Sequence, residues 1–114
     1  MKLDTKKIGD ANGVIVSISG DSLEAGNAKE FKQNLQPILE ANQTVLIDMN
    51  TLNFVDSSGL GTLLSCLRTM SNKEGDLKLF AMTKPVQALF ELVRMNRIFV
   101  IYKTQEEALA SLKA

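Results

Sequence analysis

The sequence contains no histidine and a single cysteine, Cys66. Without histidine there is no Ser-His-Asp triad, no imidazole general base and no histidine metal ligand. One thiol leaves a zinc site short of ligands and rules out an internal disulfide, which fits a reducing cytoplasm as the expected location. Charge of one sign is not in excess either. Thirteen basic and thirteen acidic residues cancel, and no dense basic run occurs, so neither nucleic acid nor an anionic membrane is an expected partner.

No apolar stretch approaches the length of a membrane span, and Met1-Lys2-Leu3-Asp4 lacks the apolar core of a signal peptide. Glycine loops that cradle phosphate are missing as well: there is no Gly-rich loop ending in Gly-Lys-Ser/Thr and no Gly-x-Gly-x-x-Gly. No catalytic residue, metal or cofactor is assigned, and a serine here has no base to activate it, so an enzyme is not expected.

What is present is an ordinary globular balance over 114 residues, 45% apolar and 23% charged, which predicts one domain over residues 1–114 with a two-layer core. Leu3 to Ile8 and Val14 to Ser19 read as strands around a turn at Gly9-Asp10-Ala11-Asn12-Gly13. Asn27 suits an N-cap, with Glu30 three residues on, and Phe31, Leu35, Ile38 and Leu39 form one stripe of a single helix that Pro37 is expected to kink. Thr44 to Met49 is apolar on both faces until Asp48, as a buried central strand should be.

After a turn at Asn72 to Asp76, Leu77 to Ala81 alternates as a strand. Pro85 belongs in the first turn of a helix with Val86, Leu89, Phe90 and Val93 inward, and Asn96 is expected to take the left-handed turn that ends it. Ile98 to Ile101 reads as a short strand, and Thr104-Gln105-Glu106-Glu107 as a capping box opening a last helix with Ala108, Leu109 and Leu112 inward. Strands alternating with helices predict an α/β domain. Its sheet should be mixed, mostly parallel and of four to five strands, with an antiparallel first pair at the edge and about four helices packed on it.

One stretch stands out, Asn53-Phe54-Val55-Asp56-Ser57-Ser58-Gly59-Leu60-Gly61. Asp56 is placed as N-cap of a helix whose apolar stripe is Leu60, Leu63, Leu64, Leu67 and Met70. Cys66 falls at the border of that stripe. The opposite stripe, Ser58, Gly61, Thr62 and Ser65, contains only small residues, a flat and uncharged face on which a partner could dock. Gly59 and Gly61 each lower helix propensity by about 1 kcal/mol relative to alanine. Close approach of another backbone to the serine hydroxyls would account for them. Equally, Asp-Ser-Ser-Gly can be no more than a turn and a helix cap. Lys73, Lys78, Lys84, Arg94 and Arg97 are expected to be solvated.

Phe54 to Gly61, after a strand and ahead of a helix, closely resembles the signature of the STAS family, the bacterial anti-sigma factor antagonists and their relatives. Thr83-Lys84-Pro85-Val86, Leu89-Phe90-Glu91-Leu92 and Ile98-Phe99 resemble later segments of the same family. The resemblance implies that Ser57 is phosphorylated by a serine kinase that doubles as the anti-sigma factor, and that a phosphatase reverses the mark. It also implies partner binding through Asp56, Ser57, Ser58, Gly59, Gly61, Thr62 and Ser65, by a monomer or weak dimer.

Many members carry a Gly-x-Leu-Asp stretch whose acidic residue lies near that serine. Here the chain reads Gly20-Asp21-Ser22-Leu23-Glu24, one residue longer, so Glu24 is the closer match and Asp21 the alternative. Two other classes stay open: a permanent STAS scaffold or transport-associated adaptor that is never phosphorylated, and a nucleotide-sensing regulatory domain using the helix N-terminus as an anion site.

Overall fold

Val14, Val16 and Ile18 turn to one side of strand β2 (Gly13–Ile18) and Ile15 to the other, and all four are buried. A strand apolar on both faces belongs inside a sheet. The computed structural model, which describes residues 1–9 and 12–113, places it there. To one side lies β1 (Leu3–Lys7), antiparallel to it; to the other, in parallel succession, lie β4 (Thr44–Asp48), β6 (Asp76–Phe80) and β7 (Val100–Tyr102). The expected α/β fold, with a mixed five-stranded sheet and its antiparallel pair at the edge, is the observed one. Of the turn expected at Gly9 to Gly13, Asp10 and Ala11 lie outside the described residues.

Four α-helices complete the described chain: α1 (Ala28–Ala41), α2 (Ser57–Asn72), α3 (Lys84–Leu92) and α4 (Gln105–Ala110). The first three cover one face of the sheet. There Phe31, Leu35 and Leu39 of α1, Leu63 and Met70 of α2 and Phe90 of α3 pack on Val16, Val45, Ile47 and Leu79. The other face is smaller, with Ala108 of α4 closing over Ile15, Leu46 and Phe80. Among the described residues no helix is long and apolar enough to cross a membrane.

Several local expectations hold. Helix α1 runs unbroken through Pro37, Pro85 sits in the first turn of α3, and the Thr104 hydroxyl accepts from the Glu107 amide at 3.1 Å. Others are corrected. Asn27 precedes α1 but does not cap it: its Oδ1 accepts from the Glu24 amide and its Nδ2 donates to the Ser22 carbonyl, both at 2.9 Å, holding the loop instead. Glu30 pairs with the Met1 ammonium rather than closing a box.

The left-handed residue after α3 is Arg94 (φ +63°), while Asn96 lies in a 3₁₀ turn, Met95–Arg97. That turn delays the last strand to Val100 and leaves Ile98 exposed. Val93 is exposed as well, at the helix end where the chain has already turned away. Cys66 is in the core and not at its border. Burial pushes its thiol up to about 11, with Lys32 pulling the other way, so the thiol is held neutral and unreactive.

Two short strands were not visible in the sequence: β3 (Ser22–Leu23) and β5 (Phe54–Val55) pair in parallel as a separate two-stranded ribbon. Residues this few have no period to read. Lys73 and Lys78 also depart from expectation. Lys78 lies over the Tyr102 ring and donates to Ser111 Oγ. Lys73, just past α2, donates its ammonium to three carbonyls at the end of α1: Leu39 at 2.9 Å, Glu40 at 3.1 Å and Asn42 at 2.9 Å. Helix α1 has no basic residue in its own last turn, so this lysine satisfies carbonyls that would otherwise rely on water.

Replacing Lys73 by Met, which keeps the stem and removes the donors, should lower unfolding free energy by about 2 kcal/mol. Urea denaturation checks this, and an unchanged midpoint would show that water replaces the ammonium at no cost.

Candidate functional site

The ribbon of β3 and β5 exists to place one helix start. Leu23 pairs with Val55, the Asp56 amide donates to the Leu23 carbonyl at 3.2 Å, and the Asn53 amide to that of Asp21 at 2.8 Å. Thr83 Oγ1 braces the loop from below with a 2.6 Å bond to the Leu52 carbonyl. The chain thus enters α2 along a fixed line.

Asp56 is the N-cap, as expected, but it does more than cap. Its Oδ1 accepts from the Gly59 amide at 2.9 Å and its Oδ2 from the Ala25 amide at 3.0 Å. One carboxylate therefore ties the first turn of α2 to the loop before α1. These bonds, led by that from Gly59 and followed by that from Ala25, hold its carboxyl below the ordinary value of 3.8. Ser57 and Ser58 follow as the first two helical residues, both exposed. Among the described residues neither hydroxyl makes an intramolecular hydrogen bond.

Of the small stripe, Ser58 and Gly61 are exposed and Thr62 and Ser65 half-buried. A Cβ at Gly61 would meet nothing within 4 Å, which agrees with an open surface. Gly59 is different. It is buried, and a Cβ there would stand 2.3 Å from the Leu23 carbonyl oxygen and 2.9 Å from Val55 Cγ1. The close approach that Gly59 allows is internal, between α2 and β3, and not the approach of a partner. The stripe is also not free of charge, because Lys32 of α1 reaches across to donate to Ser65 Oγ at 2.6 Å.

Glu24 is half-buried and sits between Leu23 and Ala25, whose backbones both bond Asp56; Asp21 lies one step back, level with Asn53. Phe54, to which the sequence pattern gives no role, is 54% exposed just ahead of Asp56 and the serines in the chain. Its signal was available: Val55 must face the core beside Leu23, so its neighbour in an extended pair faces out. An exposed aromatic side chain just ahead of two unbonded hydroxyls offers an apolar contact at the head of α2.

A family model described as the STAS domain matches residues 2–108. The anti-sigma F factor antagonist of Paenibacillus polymyxa is 26% identical over 102 residues, covering 88% of this chain and 86% of that protein. Among solved structures, an anti-sigma factor antagonist from Mycobacterium paratuberculosis superposes with a TM-score of 0.85 at 19% identity, over 99% of this chain and 94% of that one. The phosphorylated form of the Bacillus cell fate determinant SpoIIAA gives 0.71 at 18% identity, over 98% and 100%.

The two glycines should part company on mutation. Gly61→Ala is expected to stabilise the fold by up to about 1 kcal/mol, whereas Gly59→Ala is expected to destabilise it by about 1–3 kcal/mol through overpacking. Denaturant titrations of both variants decide, and equal effects would refute the internal contact. Asp56 should also set an acid dependence. Its folded-state carboxyl titrates below the ordinary value of 3.8, so its contribution to stability is complete above that value and lost as pH falls through the lower one. Between neutral pH and the acid range, the Tm of the wild type should therefore fall further than that of Asp56→Asn; parallel curves would contradict it.

Proposed function

The chain belongs to the STAS-domain family, and we propose that it is an anti-sigma factor antagonist, a non-enzymatic cytoplasmic module switched by phosphorylation of Ser57. The observation that carries this reading is the exposed, unbonded Ser57 hydroxyl on a helix start fixed by Asp56. Unmodified, the domain binds an anti-sigma factor that is also a serine kinase, through Ser57, Ser58, Gly61, Thr62 and Ser65, with Phe54 as an apolar anchor and Glu24 at the rim. The sigma factor is thereby released. The kinase phosphorylates Ser57 and the complex parts; a serine phosphatase restores the binding form.

The local physics favours a switch that acts on the complex rather than on the fold. A phosphate adds roughly −1.5 to −2 charges, and at the start of a helix these meet free amides and the positive end of the dipole. Among the described residues the exposed Ser57 hydroxyl makes no hydrogen bond, so a phosphate on it displaces no bond of its own chain. In the interface the same charge is buried without a partner, next to the carboxylate of Asp56. A cost of about 3 kcal/mol there lowers affinity by more than about a hundredfold. A permanent adaptor has no need of a free hydroxyl at this position, which favours the switched reading over the scaffold.

Ser57→Ala should bind the anti-sigma factor kinase as the wild type does and resist phosphorylation, while Ser57→Asp should bind roughly a hundredfold more weakly. Calorimetry with the purified kinase and intact mass after incubation with ATP read the two effects. Equal binding of both variants, or phosphate transfer to Ser57→Ala, would overturn the assignment.

A further inference from the structure

We propose that the groove between α1 and α2 receives an acidic segment of the protein partner, whose carboxylates pair with Lys29 and Lys32. The groove has a volume of about 490 Å³ and is lined by Lys29, Lys32, Gln33 and Gln36 of α1 and Thr69 of α2. Its cations are uncompensated. Glu30, the nearest acidic residue in sequence, pairs with the Met1 ammonium, and Glu40 near the end of α1 accepts from Gln36. Helix α2 contains no acidic residue at all. Among the described residues neither Lys29 nor Lys32 is paired with a carboxylate.

What Lys32 does hold is the neutral Ser65 hydroxyl. An ammonium has three donors and this bond occupies one, so it aims the side chain across the groove without cancelling its charge. The α2 wall is neutral and low, since Thr69 Oγ1 is turned inward to the Ser65 carbonyl at 3.1 Å. Lys29 and Lys32 are three residues apart and so project from successive turns on one side of α1. Gln33 and Gln36, further along α1, add amide donors and acceptors beyond them. Two cations on successive turns of an open groove, with amides continuing it along α1, match an extended chain bearing carboxylates better than a single small anion.

Position argues for the same partner. Ser65 belongs to the stripe that begins at Ser58, so the groove continues the face proposed above for the anti-sigma factor; only the identity of the partner rests on that reading. Charge on this surface acts mainly on the rate and register of encounter, and fades as salt rises.

The test uses the whole chain, uniformly labelled with nitrogen-15, and a short acetylated polyglutamate peptide as probe. Chemical-shift changes should be confined to Lys29, Lys32, Gln33, Ser65 and Thr69, vanish in K29E/K32E, and shrink with added salt. With the purified kinase, K29E/K32E should lose roughly tenfold or more in affinity, while a control reversal on the far face, K6E/K78E, should lose little. Peptide shifts confined to the groove uphold the proposal even if the wild-type chain binds no kinase, a result that would overturn the preceding assignment alone. Shifts scattered over the surface lysines, or the same kinase affinity for K29E/K32E as for wild type, overturn the groove.

Discussion

Everything exposed at the candidate site hangs on one carboxylate. Asp56 accepts from Gly59 with one oxygen and from Ala25 with the other, and so joins two segments that no continuous element connects. A hydrogen bond to an ionised group is stronger and shorter than a neutral one. Two on one side chain fix both the angle at which α2 begins and the distance to the loop before α1. The positions of Ser57 and Ser58 follow from that, as does the packing of Gly59 beneath Leu23, while Phe54 is placed by its pairing with Ser22 in the ribbon. Burial of the apolar stripe of α2 supplies stability, and the carboxylate adds a directional tie between the first turn of α2 and the loop before α1.

This division explains which parts of the molecule could be read from the chain. The strand and helix order, the parallel sheet and the Asp56 cap all rest on local pattern, such as the alternation at Val14 to Ile18 or an acidic residue ahead of a helical stripe. What escaped depends on partners distant in sequence. Lys73 caps a helix that ends more than thirty residues earlier. Cys66 is fully buried because α1 packs on α2, which nothing in the spacing from Leu63 reveals. The ribbon of Ser22–Leu23 with Phe54–Val55 is two residues deep, below any period. Arg94 rather than Asn96 takes the left-handed turn because the 3₁₀ segment starts immediately after it, overriding a weak residue preference.

The candidate site was legible in where its residues lie and only partly in its surface. Ser57, Ser58 and Gly61 are where a reading of the motif would put them, exposed at the head of α2. The uncharged face expected behind them carries an ammonium, because Lys32 comes from another helix. Small residues on α2 do not create a neutral surface; they create a low one, and a long side chain from the neighbouring helix can lie across it. The character of such a face is set by α1 as much as by α2.

The contact beneath Gly59 has a further meaning for how this surface can change over time. What crowds the glycine most closely is the Leu23 carbonyl, a group that every amino acid supplies. The Ala25 amide that meets Asp56 is equally indifferent to side chain. The loop from Asp21 to Gly26 is therefore anchored by its main chain while its outward side chains carry no part of the anchor. Mutation can rewrite what the loop presents to the outside, residue by residue, without moving the helix it supports. Gly59 and Asp56 have no such freedom, so selection for a new partner would act on the loop and leave those two alone.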